Sequence, residues 1–216
     1  MEGKSLLDVN CLYRILFQHM GPQKWWPANS KIEIVLGAIL VQNTNWRNAA
    51  LALEKLGRNT ELEPHHILNT KLADLQLLIK SSGFYKAKAQ TILTILQWLE
   101  RFNFDYSLIQ RYYGQSLRQA LLELKGIGEE TADVLIVYVF EGVEFIPDSY
   151  TRRIFNKLGY TDTEQYSKLK RKIDLPQSFT TQDANELHAL LDNFGKAYFN
   201  HKNNENFQFL EKYFVK

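Results

Sequence analysis

Cysteine is all but missing from this chain: Cys11 stands alone among 216 residues, which excludes internal disulfides, zinc ribbons and four-cysteine iron–sulfur clusters. No apolar stretch approaches the roughly 18 residues that cross a bilayer, so no membrane-spanning helix is expected. The opening segment MEGKSLLDVNCLYRILF spaces its apolar residues as on an amphipathic helix. It lacks the unbroken apolar run and small-residue cleavage site of a secretory signal, which points to a cytoplasmic or nucleoid location. An excess of one charge is missing too. With 26 basic against 24 acidic residues the net charge is +2, so a polyanionic partner has to be met by a local basic patch rather than a global field. There is no internal repeat and no low-complexity linker. At 45% hydrophobic and 23% charged residues the chain reads as folded and globular, long enough for one large domain or two small ones.

What is present is helical periodicity. Leu6, Leu7, Val9, Leu12, Ile15 and Leu16 trace one face of a first helix that ends before Gly21-Pro22. After a loop carrying Trp25-Trp26-Pro27, Ser30 stands three residues before Glu33, the spacing of a capping box, and opens the apolar helix IEIVLGAILV. Asn45 or Thr44 caps the next helix, expected to run through Leu56 and stop at Gly57. Further helical patterns fall over 67–79, 86–101, 115–124, 129–140, 149–158, 164–173 and 182–198. The best strand candidate, VEFIPD at 143–148, is short and runs into a proline, so it reads as an extended connector. The expected fold class is all-α. Trp98, inside an amphipathic pattern, reads as core. His65-His66 follow Pro64 in an expected surface loop, and no histidine pair has metal-ligand spacing near a carboxylate, so no catalytic metal is expected.

The sharpest local signal is LELKGIGEETADVLIVYVF, residues 122–140: a helix, a Gly-Ile-Gly turn, then a second helix that starts on acidic residues. Gly126 and Gly128 permit positive φ and leave room for another backbone, while Ile127 can plug between the helices. The second helix presents free N–H groups and a positive dipole end, suited to hold a phosphate without reading sequence, and Lys125 adds a charge beside it. An ordinary helix–helix turn would look much the same. About twenty residues on comes FIPDSYTRRIFNKLG, where Asp148 follows Pro147 at a helix start; taken alone, Asp148 is readable as a plain N-cap.

Together, LKGIGEETAD and PDSYTRRIFNKLG resemble the helix-hairpin-helix DNA glycosylases of the endonuclease III superfamily, in which a Gly-rich hairpin is followed by a loop and an essential aspartate. ILVQNTNWRNA at 39–49 is similar to the segment that places a glutamine in the DNA gap, and SSGFYKAKAQTI at 81–92 to the wedge loop and its helix. The resemblance implies two helical lobes with a central cleft. One is a six-helix barrel over 28–139 that includes the hairpin; the other joins 1–27 to 140–216. It implies that Asp148 is the catalytic carboxylate at the cleft mouth, that Gln42 fills the vacated space and that Phe84 or Tyr85 wedges the partner strand. Lys125, Gly126, Gly128 and Thr131 would serve the phosphate contact, and the hairpin carbonyls would hold a monovalent cation. The implied partner is double-stranded DNA containing a damaged base, bound by a monomer.

Two departures from the family pattern matter. Members that also nick the backbone carry a Schiff-base lysine two residues after the second hairpin glycine; here Glu130 stands there, and a carboxylate cannot form an imine. Lys125 and Lys196 are the conceivable substitutes. The tail FGKAYFNHKNNENFQFLEKYFVK also lacks the four cysteines of an iron–sulfur loop, so no cluster is expected. A glycosylase without lyase action needs base extrusion, an anion beside the oxocarbenium-like sugar and a placed water, all within reach of one carboxylate. Bases alkylated on a ring nitrogen leave readily and carry positive charge. Trp25, Trp26 and Pro27 are expected to form a flat platform, with Trp46 just past Gln42; an indole stacks on a flipped base and attracts a cationic one by about 0.5–2 kcal/mol. Core packing is the alternative for each tryptophan. Lys196, after Phe194-Gly195 on the last long helix, lines the base pocket, contacts phosphate or is simply solvated. WWP, QNT, GFY and Glu130 together most resemble bacterial 3-methyladenine DNA glycosylases, which makes an N-alkylated purine the expected substrate. The alternatives are a bifunctional glycosylase and lyase for oxidised or mismatched bases, and a non-catalytic DNA-binding hairpin protein.

Overall fold

The structure, a computed structural model, describes residues 6–26, 28–200 and 205–215; among them are twelve α-helices, three 3-10 segments and no strand. The chain is all-α. In order the helices are α1 (Val9–Met20), α2 (Lys31–Leu40), α3 (Trp46–Thr60), α4 (Pro64–Asn69), α5 (Leu72–Leu78), α6 (Tyr85–Glu100), α7 (Tyr106–Tyr113), α8 (Leu117–Leu122), α9 (Glu129–Tyr138), α10 (Ser149–Lys157), α11 (Tyr166–Lys170) and α12 (Thr181–Asn200). No helix among the described residues is long and apolar enough to cross a membrane. The chain divides into two compact units. Ala28–Glu141, the central unit, holds α2 to α9; Met1–Pro27 with Gly142–Lys216, the terminal unit, holds α1 and α10 to α12.

In the central unit α2 is apolar on every side after its first turn and is buried against α3, α6 and α9. Ser30 caps it by accepting the Glu33 N–H at 3.3 Å, while the Glu33 carboxylate takes the N–H of Asn29 at 2.7 Å, shifting the expected box by one residue. Asn45 caps α3, which does not stop at Gly57 but runs to Thr60. One glycine costs a helix only about 1 kcal/mol relative to alanine. The buried Thr60 hydroxyl bonds to Leu56 O, and termination waits for the left-handed pair Glu61 and Leu62. The single helix expected over 67–79 is instead α4 and α5. Pro64 opens α4 early enough to make His65 and His66 helical rather than loop residues, and Thr70 breaks the run in an extended conformation. α7 falls outside the helical patterns of the sequence; Asp105 caps it, and of its residues only Ile109 is buried. In the hairpin, Arg118 on α8 grips the fully buried Asp133 on α9 through Nε at 2.7 Å and Nη2 at 3.3 Å. Trp98 is core, as expected, against Tyr113 and Phe140.

In the terminal unit α1 and α10 pack on α12 around Leu12, Leu16, Phe155, Leu190, Phe194 and Leu210. Each such side chain contributes about 1.5–3 kcal/mol on burial. The connector 143–148 is irregular, with Phe145 and Ile146 buried. α10 and α12 meet at Gly195, where a Cβ would lie only 2.4 Å from the Cβ of Tyr150.

Candidate active site and nucleic-acid interface

Asp148 is the N-cap of α10: its Oδ1 accepts the Thr151 N–H at 2.6 Å. The cap does not exhaust the side chain, because Oδ2 lies 3.5 Å from His188 Nε2 on α12. Burial pushes the Asp148 carboxyl up, but the hydrogen bond and charge of His188, with the Thr151 N–H, outweigh it and hold the group below its usual value. The result is a nearly buried carboxylate kept as an anion at neutral pH, at the positive end of a helix.

His188, Asp192 and Lys196 are spaced four apart and so share one face of α12. Burial and the neighbouring charge of Asp148 push the Asp192 carboxyl up, and Lys196 and His188 only partly restore it. Two carboxyls of one unit are thus shifted in opposite directions. Lys196 pairs with Asp192, and its ammonium lies 5.3 Å from the centre of a Trp25 ring.

The loop bearing Trp25 is tied to α12 on both sides of Gln23. The Gln23 N–H donates to the Glu186 carboxylate, and Asn193 Nδ2 donates to Gln23 Oε1 at 2.8 Å. Trp25 and Trp26 are half-buried and their rings are inclined at 54°, so they do not make the flat platform expected of consecutive indoles. Pro27 lies outside the described residues. Trp46, half-buried at the start of α3, belongs to the central unit with Gln42.

In the central unit Gly126 has φ +91°, and a Cβ there would lie 1.9 Å from Thr91 Oγ1 on α6, so both backbone and packing demand glycine. Gly128 does not need positive φ: it is extended at −92°, and no atom lies within 4 Å of where its Cβ would be. Open space beside the N-terminus of α9 is what this position provides. Ile127 is buried, as a plug should be, and Lys125 and Glu130 are exposed. Gln42 lies back on the hairpin, its Nε2 donating to Gly126 O at 3.2 Å and to Thr131 Oγ1 at 3.0 Å. Phe84 is 72% exposed, held out by a left-handed backbone at φ 45°, whereas Tyr85 is half-buried; of the two, Phe84 has the geometry of a wedge. Of the turn carbonyls, Leu124 O already accepts the Ile127 N–H and Gly126 O accepts from Gln42 Nε2.

Residues 36–177 match the HhH-GPD superfamily of base excision DNA repair proteins. The chain belongs to that superfamily. It is a DNA glycosylase. This glycosylase is 32% identical over 194 residues to a Methanocaldococcus jannaschii protein assigned as a DNA repair glycosylase, with 88% of each chain covered. It is 29% identical over 170 residues to the endonuclease III of Sulfolobus acidocaldarius, covering 75% of this chain and 71% of the relative. Its fold matches that of an H. pylori 3-methyladenine DNA glycosylase crystallised with 1,N6-ethenoadenine, at a TM-score of 0.73, 23% identity and coverage of 91% of this chain and 100% of the other.

Sequence reasoning missed His188, Asp192 and the Gln23 anchor of the glycosylase. The four-residue spacing in HALLDNFGK marks a polar stripe on α12, but nothing local says that the stripe meets Asp148.

Proposed function

We propose that this glycosylase is monofunctional and hydrolyses the N-glycosidic bond of an N-alkylated purine such as 3-methyladenine, as a monomer on duplex DNA from which the damaged nucleotide has been flipped. The observation that carries the reading is the Asp148 carboxylate, buried at the head of α10 and held ionised by His188 and the Thr151 N–H. As the C1′–N bond breaks, the bonding pair leaves with the base and positive charge develops on the sugar. The Asp148 anion stabilises that charge, and it orients and deprotonates the water that adds to C1′. A cationic alkylated base departs as a neutral molecule, so the site needs no strong general acid.

Two observations support the finer substrate assignment. The face of Trp25 already accommodates a cation, the Lys196 ammonium, which is the interaction a positively charged purine would make. Glu130 occupies the position where the family's lyases carry their imine-forming lysine, which argues against strand nicking. The H. pylori enzyme of similar fold is named for 3-methyladenine, in keeping with this assignment.

The test is a panel of duplexes, each with one alkylated, oxidised or mismatched base, with the freed base identified by mass. The expected result is release of N-alkylated purine, with strand breaks only after hot alkali and no complex trapped by borohydride. Breaks without alkali, or a trapped complex, would overturn the monofunctional assignment; release of oxidised or mismatched bases instead would overturn the substrate.

A further inference from the structure

Lys88 lies in the first turns of α6, four residues after Phe84, and is only 3% exposed. A buried ammonium is costly unless its N–H groups find acceptors. Here Nζ donates to Leu40 O at 2.8 Å and to Ser82 O at 2.6 Å. Both acceptors are end-of-segment carbonyls, Leu40 closing α2 and Ser82 closing the 3-10 turn Lys80–Ser82, the kind of group a helix leaves without an internal partner. Both also stand at the roots of the two segments that the family resemblance places in the duplex. Gln42 lies two residues beyond Leu40, and Phe84 two residues beyond Ser82.

The contacts continue from there into a closed ring within the central unit. Gln42 Nε2 reaches Gly126 O and Thr131 Oγ1 of the hairpin. Gly126 is pressed against Thr91, which lies one turn after Lys88 on α6. An apolar side chain of similar length would fill the same space without the penalty of burying a cation. What the ammonium adds is direction, because it fixes two chain ends relative to each other.

We propose that Lys88 is a positioning residue that holds Gln42 and Phe84 in one register with the phosphate-gripping hairpin, so that the three meet DNA as a single preorganised unit. The proposal rests on the reading of those segments as DNA-inserting. Flipping a base costs a few kcal/mol of unstacking, and it is offset only if gap filling and wedging occur together. Loosening the clamp therefore weakens flipping while leaving the hairpin's grip on plain duplex in place.

The experiment compares the wild-type chain with Lys88→Met on plain duplex and on a lesion duplex carrying 2-aminopurine in the partner strand. Expected are a loss of about 10- to 100-fold in single-turnover base release, a reduced aminopurine signal, and a plain-duplex Kd within about threefold of wild type. Unchanged release, or an equal loss of release and of plain-duplex binding, would overturn the proposal. Should Lys88→Met fail to fold, a cycle of Gln42→Ala and Phe84→Ala in the native background decides the matter. Coupled residues give a double-mutant loss at least about fivefold smaller than the product of the single losses, and multiplicative losses would overturn the coupling. A wild type that releases no base counts against the proposed function, and the aminopurine signal then judges the clamp by itself.

Discussion

On the proposed mechanism Asp148 does two things with one side chain, capping α10 and supplying the anion, and the two can be separated. Asparagine caps a helix nearly as well as aspartate, so Asp148→Asn should keep α10 and the fold. It removes the anion, and base release is expected to fall by about 10²- to 10⁴-fold while plain-duplex affinity stays unchanged; retained activity in a folded variant would discard the mechanism. Because the folded-state value of Asp148 is lowered, its ionisation stabilises the fold above the ordinary value of 3.8, and that contribution is lost as pH falls through the lowered value. Any melting-temperature gap between wild type and Asp148→Asn should accordingly narrow in acid. His188 is one of the groups that offset the burial of Asp148. In His188→Gln burial gains weight and the Asp148 value rises, so the acidic limb of the pH–rate profile should move to higher pH. A profile superimposable on that of wild type would show that His188 does not tune the carboxylate.

At the scale of elements, two glycines in helices have opposite meanings. Gly57 sits within α3, and a Cβ there would make an ordinary contact 3.5 Å from Leu62 Cγ. Gly57→Ala should therefore gain the intrinsic helix preference, up to about 1 kcal/mol, and raise the melting temperature. Gly195 is where α12 touches α10, with no room for a methyl group beside the Cβ of Tyr150. Gly195→Ala gains the same preference but must push the helices apart, at a cost of about 1–3 kcal/mol, so its melting temperature should fall. The displaced helix carries Asp148 at its head, and base release should fall with it. Thermal melts of the two variants give opposite signs if packing decides, and a shared upward shift would mean that α10 yields freely. Capping residues marked the starts of α2 and α3 in the sequence, whereas the end of α3 waited for the left-handed pair Glu61 and Leu62, and the break between α4 and α5 fell at the extended Thr70.

For the whole molecule, a net charge of +2 leaves DNA attraction to local groups, and on the proposed reading these include Lys125 and the N-terminus of α9. Duplex affinity should fall linearly with salt on a log–log plot, with a slope set by the few phosphates neutralised, and a flat response would contradict phosphate contact. The sequence by itself determined the all-α class, because apolar residues at helical spacing have only one regular conformation that buries them together. It also located the hairpin turn and the helix start at Asp148, since glycine and capping chemistry are local. Only the tertiary structure decided that His188 and Asp192 face Asp148, that Lys196 sits over Trp25, that Trp25 and Trp26 tilt apart, and that Lys88 ties Leu40 to Ser82. Periodicity tells which face of a helix is buried but not what it is buried against. Polar partners distant in the chain are chosen by how the helices pack, and many sequences with the same pattern would pair them differently.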